Sequence, residues 1–232
     1  MFHIVGAGKA NLEGMTRLVL ASTSPARLTL LRNGGIEPIC IAPQVDEDLV
    51  ASVAKAEGLI NSTADMVAIL ARAKAEAVLN HPEAADAIII GCDSSLEFAG
   101  ESLGKPHLPQ VARDRWLSMR GQSGKLFSGH HLIDNRINLD AAAATLGGSR
   151  PATNRVSNAT VFFADLSDSE IDAYVATGEP LQVAGAFTID GLGGAFIRAI
   201  EGDPHTVIGL SLPTLREMAI ELGVDYSSFW NR

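Results

Sequence analysis

Several groups of residues in this chain have the types and spacing to handle a charged ligand. Ser24-Pro25-Ala26-Arg27 joins a good helix N-cap to a proline suited to the first helical position, so helix initiation alone could explain both. The same arrangement would leave free N–H groups and the positive end of a helix dipole facing an anion, with Arg27 one turn in to grip a phosphate by its fork. Asp93 follows the apolar run Ala87 to Cys92, and a carboxylate leaving such a strand sits where α/β proteins bind ligands. Its plain alternative is a turn or cap before Ser94-Ser95. Asp46-Glu47-Asp48 clusters three carboxylates after another apolar run, and reads equally as a solvated acidic turn. Lys74, in an alanine-rich segment, and Lys105, in Gly104-Lys105-Pro106, are by type ordinary surface lysines.

Charge narrows the ligand class. With 27 acidic residues against 18 basic ones, the net charge of −9 argues against a general nucleic-acid binder, whose affinity comes mainly from Lys and Arg on phosphates. A phosphate ligand would have to be met by a few placed cations, a metal ion or backbone N–H groups.

The elements that must position these residues alternate in type. Residues 17–21 read as a short apolar strand, followed by a helix opened by Ser24-Pro25 and stopped by Gly34-Gly35. Strands are expected over 36–42, 87–92, 126–137, 160–164, 196–200 and 206–208. Helices are expected over 65–79, 110–119, 168–177 with Ser167 as N-cap, and 213–222. The segment 140–155 resembles a flexible, protruding insertion. Because the part around 126–164 breaks a simple parallel repeat, the expected class is α/β with a mixed sheet, one domain with two lobes around a central cleft.

The hydrophobic content of 47% suffices for one substantial core, and no apolar run approaches the roughly 18–20 residues that cross a bilayer. Residues 1–14 lack the apolar stretch of a secretion signal and read as an N-terminal extension, with Met15 the natural beginning of a single domain over 15–232. Cys40 and Cys92 lie in apolar segments without metal-ligand or Cys-x-x-Cys spacing, so both are expected to be buried free thiols in a cytoplasmic protein.

Three motifs fail on inspection. Gly6-Ala7-Gly8-Lys9 would need a glycine where His3 stands and Ser or Thr where Ala10 stands to form a phosphate loop. Gly191-Leu192-Gly193-Gly194 has Phe196 in the last glycine place of a dinucleotide fingerprint, and reads as a turn. His130 and His131 are neighbours in a strand and point to opposite faces, which suits packing or surface roles better than shared metal ligation.

Order and type together carry a further reading. The segments LVLASTSPARLTLLRNGGIEP, VDED, LARAKAEAV and IIIGCDSSLEFAGESLGKP, followed by MRGQSGKLFSGHHLI, IDAYVATGEPLQVAGAFTIDGLGGAFIRAIEGDP and HTVIGLSLP, resemble the Maf nucleotide pyrophosphatases from Thr16 to Leu215. The resemblance implies cleavage of nucleoside triphosphates between the α and β phosphates to a monophosphate and pyrophosphate, removing non-standard or modified nucleotides. It also implies an elongated mixed sheet flanked by helices, similar to the inosine triphosphate pyrophosphatases, and a homodimer. Motif by motif, Asp93 would be the catalytic carboxylate, with Asp46 or Glu47 assisting it at Mg²⁺ or Mn²⁺. Ser24, Arg27, Lys74 and Lys105 would hold phosphates.

Oxygen ligands such as Asp46, Glu47 and Asp93 suit a hard divalent ion, and a triphosphate's charge must be neutralised before water can approach the α-phosphorus. Departures from the pattern fall at Ala26, where many relatives carry a second arginine, at Gln182 and Val183, where Asp-Lys is frequent, and at Asp190, where Gln is frequent. Gln182, Val183 and Asp190 are therefore candidates for choosing the base, which neither the pyrimidine-selective nor the methylated-guanine pattern settles. The pattern resembles an actinobacterial version. The alternative function, also implied by the family, is a nucleotide-binding regulator of septum formation that has no significant turnover.

Overall fold

A computed structural model of the chain describes residues 15–136 and 150–232, so the proposed extension over 1–14 and most of the expected insertion lie outside the described residues. Within them, seven strands form one mixed sheet. β1 (Leu18–Ala21), β2 (Ile39–Cys40), β3 (Ile88–Phe98), β5 (Ser123–Asp134), β6 (Ala152–Phe163) and β7 (Ile197–Gly202) lie in the order β2-β1-β3-β5-β6-β7, and β4 (Glu101–Leu103) folds back on β3. The first three in that order run parallel, as a strand–helix–strand crossover requires, and the long strands β3, β5 and β6 are antiparallel neighbours. The helices are α1 (Pro25–Asn33), α2 (Glu47–Ala56), α3 (Thr63–Ala77), α4 (Pro109–Met119), α5 (Asp168–Ala176), α6 (Pro204–Ile208) and α7 (Leu212–Glu221).

β3 and β5 are long enough to serve two cores. Near the start of β3, Ile88, Ile90 and Cys92 pack with α1 and α7 through Leu30, Leu31, Leu215 and Met218, while Ile89 and Ile133 cover the opposite face with α3. Past Leu96 the sheet belongs to a second core built around Trp116 of α4, which meets Phe163 and Tyr174 edge-on at centroid distances of 5.6 and 5.7 Å. These two cores are the two expected lobes.

Several expected elements need correction. The strand expected over 36–42 shrinks to Ile39–Cys40, and Cys40 is exposed at this outer strand whereas Cys92 is buried. The Asp46-Glu47-Asp48 cluster is no loose turn: Asp46 caps α2, a helix absent from the expected elements, and Glu47 and Asp48 form its first turn. Residues 206–208 belong to helix α6, capped by Asp203 and started by Pro204, because Gly209 at φ +115° ends the turn before a strand could form. The insertion expected to run to residue 155 gives way to β6 from Ala152, whose pairing with β5 supplies the regularity that its polar residues hide. Among the described residues no helix is long and apolar enough to cross a membrane.

Candidate active site

The sheet has a notch on one edge of β3. β1 pairs with β3 only as far as Gly91, opposite Ala21, and β4 takes over only at Leu96, opposite Leu103. Among the described residues, 92–95 therefore have β5 on one side and no strand on the other, between the two lobes. Asp93 lies inside this notch, in the middle of an eleven-residue strand, and not at a strand end as its sequence context suggests. Strand alternation sends Asp93 to one face of the sheet and Ser94 to the other, so one short stretch serves two faces.

On the first face the decisive residues are two glycines. A Cβ at Gly91 would collide with the Ala71 carbonyl and lie 2.7 Å from the Ala75 nitrogen, and one at Gly129, opposite Asp93 on β5, would collide with the Val67 carbonyl. Their bareness lets α3 rest on the sheet backbone. That approach brings Lys74 to Asp93, with Nζ donating to Oδ1 at 2.6 Å. The same ammonium lies 2.9 Å from Glu47 Oε1 on α2. Lys74 and Asp93 are almost closed to solvent, with side chains 8% and 10% exposed, while Glu47 at 48% opens the chain of charges outward. Asp46, by contrast, uses its Oδ1 to accept the Leu49 N–H at 2.9 Å.

The second face is built from hydroxyls around a guanidinium. Ser24 caps α1 by accepting the Arg27 N–H, and Pro25 follows as first helical residue. Arg27 donates through Nε to the Gly209 carbonyl at 2.8 Å, through Nη1 to Ser22 Oγ at 3.2 Å and through Nη2 to Ser94 Oγ at 3.1 Å. Ser94 and Ser128 share a hydrogen bond of 2.7 Å, and Ser128 donates to the Thr206 carbonyl at 2.8 Å. Buried beneath them, His130 accepts the Ser211 N–H at 2.8 Å; burial, helped by the charge of Arg27, pushes its pKa down to about 4. It is thus a neutral packing residue at physiological pH. His131, on the other face, is buried too, which fits the packing role expected for the pair. On the second face too, the Cys92 thiol is pushed up to about 11 by burial, against the pull of Arg27 and Lys74, which keeps it protonated and unreactive.

The remaining residues singled out in the sequence belong to the second lobe. Lys105 is exposed just past β4. The backbone beside it is tied to the segment 179–193, since Gly185 N–H donates to the Gly104 carbonyl at 3.2 Å and His107 N–H to the Leu181 carbonyl at 3.0 Å. That segment carries Gln182 and Asp190, both exposed, and Val183, half-buried.

With this geometry in hand, comparison with known proteins is decisive: a family model described as Maf-like protein matches residues 17–222. The chain belongs to the Maf-like family. A protein of Leifsonia xyli subsp. xyli named nucleoside triphosphate pyrophosphatase is 51% identical over 218 residues, covering 93% of this chain and 97% of its own length. Proteins of the same name from Cutibacterium acnes and Salinispora tropica are 48% and 50% identical, covering 93% of this chain and 95% and 88% of their own lengths.

For a Maf-like chain, a divalent ion can be tested against the donors present. Asp93 and Glu47 already point one carboxylate oxygen each at a common cationic group, Lys74 Nζ, so they converge on a position that suits positive charge. Among the described residues no group of three or more His, Cys, Asp or Glu side chains gathers in this way. Two carboxylates with the remaining positions left to phosphate oxygens and water fit magnesium better than an all-protein cage would. Sequence reasoning missed the hydroxyls of Ser22, Ser94 and Ser128 and the Thr206 carbonyl, since such groups carry no distinctive spacing. Glycine inside two strand patterns, at 91 and 129, was the available signal of a close backbone approach.

Proposed function

We propose that this Maf-like protein hydrolyses nucleoside triphosphates between the α and β phosphates, releasing a nucleoside monophosphate and pyrophosphate, and so clears non-canonical or modified nucleotides. The observation that carries the reading is the buried Lys74–Asp93 pair in the notch, continued outward to Glu47 and flanked by the α1 tip with Arg27. The shared name of the relatives supports it.

In this reading the triphosphate lies along the notch. The tip of α1, with Ser24 and the Arg27 fork, holds phosphate oxygens at one end, and Lys105 meets them from the other lobe. Lys74 offsets charge at the reacting phosphate while holding the Asp93 carboxylate in place. Asp93 accepts the proton of the water that attacks the α-phosphorus. Mg²⁺ or Mn²⁺, held by Asp93 and Glu47, would neutralise phosphate charge and assist the leaving pyrophosphate when bound. Asp46, occupied in capping α2, supports Glu47 by fixing where that helix begins. Gln182, Val183 and Asp190 face the base. The reading includes a cytoplasmic location and a homodimer, the latter checked by light scattering.

The test is a panel of natural and methylated nucleoside triphosphates with Mg²⁺ or Mn²⁺, with products identified. Pyrophosphate with monophosphate is the expected pair. Orthophosphate from every substrate, or binding without turnover on all of them, would remove the proposal.

A further inference from the structure

The Gly191-Leu192-Gly193-Gly194 turn, which fails as a dinucleotide motif, already holds an anion of its own. Leu192 N–H donates to Glu179 Oε2 at 2.9 Å and Gly193 N–H to Glu179 Oε1 at 2.9 Å. The same Oε1 accepts from Thr188 Oγ1 at 2.6 Å and from the Tyr174 hydroxyl at 2.9 Å. Successive backbone N–H groups that converge in this way form an anion-binding concavity. The fit excludes side chains: a Cβ at Gly191 would lie 2.7 Å from Glu179 Oε2, and one at Gly193 would collide with the Tyr174 hydroxyl. Burial raises the carboxyl pKa, but the Thr188, Gly193, Leu192 and Tyr174 donors outweigh it and hold Glu179 below the usual range, so it is charged at neutral pH.

Glu179 thereby joins the two ends of a loop. From it the chain passes Gln182 and Val183, turns through Gly185 and Ala186 at φ +69° and +64°, and returns past Asp190 to the Leu192 and Gly193 amides. A left-handed backbone at the buried, non-glycine Ala186 persists only where its surroundings impose it. Trp116 Nε1, donating to the Ala186 carbonyl at 2.8 Å, and Gly104, accepting from Gly185, pin that far end. The near end is pinned by the Glu179 carboxylate, which takes donors from Thr188, Leu192 and Gly193 across the loop base.

We infer that Glu179 is the positioning residue for base choice: by closing the 179–193 loop with its carboxylate it fixes Gln182, Val183 and Asp190 relative to Lys105. The inference takes from the proposed function that the ligand is a nucleotide whose base Gln182, Val183 and Asp190 face.

Glu179→Gln, and Tyr174→Phe as a milder variant that keeps the core ring, should be assayed over a panel of bases. Two ratios between the best and worst base are read: kcat/KM for the triphosphates, and dissociation constants of the monophosphates by calorimetry, which needs no turnover. Loosening by about an ångström or less is enough to blur selection, so Glu179→Gln should compress both ratios by about tenfold or more while kcat on the best substrate changes little. Tyr174→Phe should compress them less, in the same direction. A uniform loss over all bases with the ratios unchanged would overturn the inference, as would a wild-type protein without base preference. If Glu179→Gln does not fold, unchanged ratios in Tyr174→Phe would overturn it. Wild-type protein that releases no pyrophosphate would defeat the proposed function, and the monophosphate ratios would still decide on Glu179.

Discussion

Asp93 and Ser94 are neighbours in one strand, yet the two faces they serve are built on different principles. On the α3 face, ions meet ions with almost no water: Lys74 and Asp93 are both buried and bonded at 2.6 Å. On the α1 face, Arg27 is met by neutral oxygens of Ser22, Ser94 and Gly209. A buried ion pair is costly to assemble and costlier to break, which suits a carboxylate that must hold one orientation in the site. Neutral acceptors orient a guanidinium without cancelling its charge, which suits a group that must still attract an anion. The notch thus separates a face organised for proton and charge handling from one organised for holding.

Substitutions on the α3 face should have the larger effects. Asp93→Asn is expected to lower turnover by about 10³-fold or more, since both a general base and a charge partner are removed, whereas circular dichroism should show the fold retained because Lys74 keeps Glu47. Lys74→Met leaves Asp93 buried without its cation and should destabilise the protein by about 3–5 kcal/mol in urea melts. If either variant were indistinguishable from wild type, the contrast between the faces would fail.

Gly129→Ala sharpens the comparison from a distance. The added methyl would strike the Val67 carbonyl, so α3 must shift off the sheet at a cost of about 1–3 kcal/mol, read as a lower unfolding midpoint. Turnover should fall further than that stability loss explains, since Lys74 rides on the same helix.

The α1 face should show its character in pH dependence. His130 is held at about 4 when folded and returns to about 6.5 on unfolding, so the unfolded chain binds the extra proton. Its contribution is therefore complete above pH 6.5 and is lost as pH falls toward 4, about 3 kcal/mol in all by the usual conversion. Urea melts across that window should show the slope, and His130→Gln should flatten it. The smallest change is Ser128→Ala, which removes one link behind Ser94: about 1 kcal/mol of stability and a KM raised a few-fold, with kcat nearly unchanged.

The two faces were unequally legible in the sequence. Arg27 and Asp93 could be picked out because a charge after a helix start or an apolar run is conspicuous, whereas Lys74 reads as an ordinary surface lysine and was marked only by the family resemblance; the helices bearing Arg27 and Lys74 followed from Ser-Pro and alanine periodicity. The hydroxyl network could not be seen, because Ser22, Ser94, Ser128 and Thr206 come together only through the β3–β5 register and the α6 turn. Asp93 was misplaced to a strand end for a related reason. Ser94, Ser95 and Glu97 look like the polar close of a strand until β4 and β5 are seen to pair with that stretch. Helix α2 was legible in the helical spacing of Leu49, Val50, Val53 and Ala54, but the three carboxylates of Asp46-Glu47-Asp48 read as a solvated turn rather than as a cap and first turn.

The central claim, that the Asp93 face directs water at the α-phosphorus, is tested most directly by hydrolysing a nucleoside triphosphate in ¹⁸O-labelled water with wild-type protein and with Asp93→Asn. The account predicts label in the monophosphate, unlabelled pyrophosphate, and loss of both products' formation in the variant. Label in the pyrophosphate, or undiminished labelled monophosphate from Asp93→Asn, would contradict it.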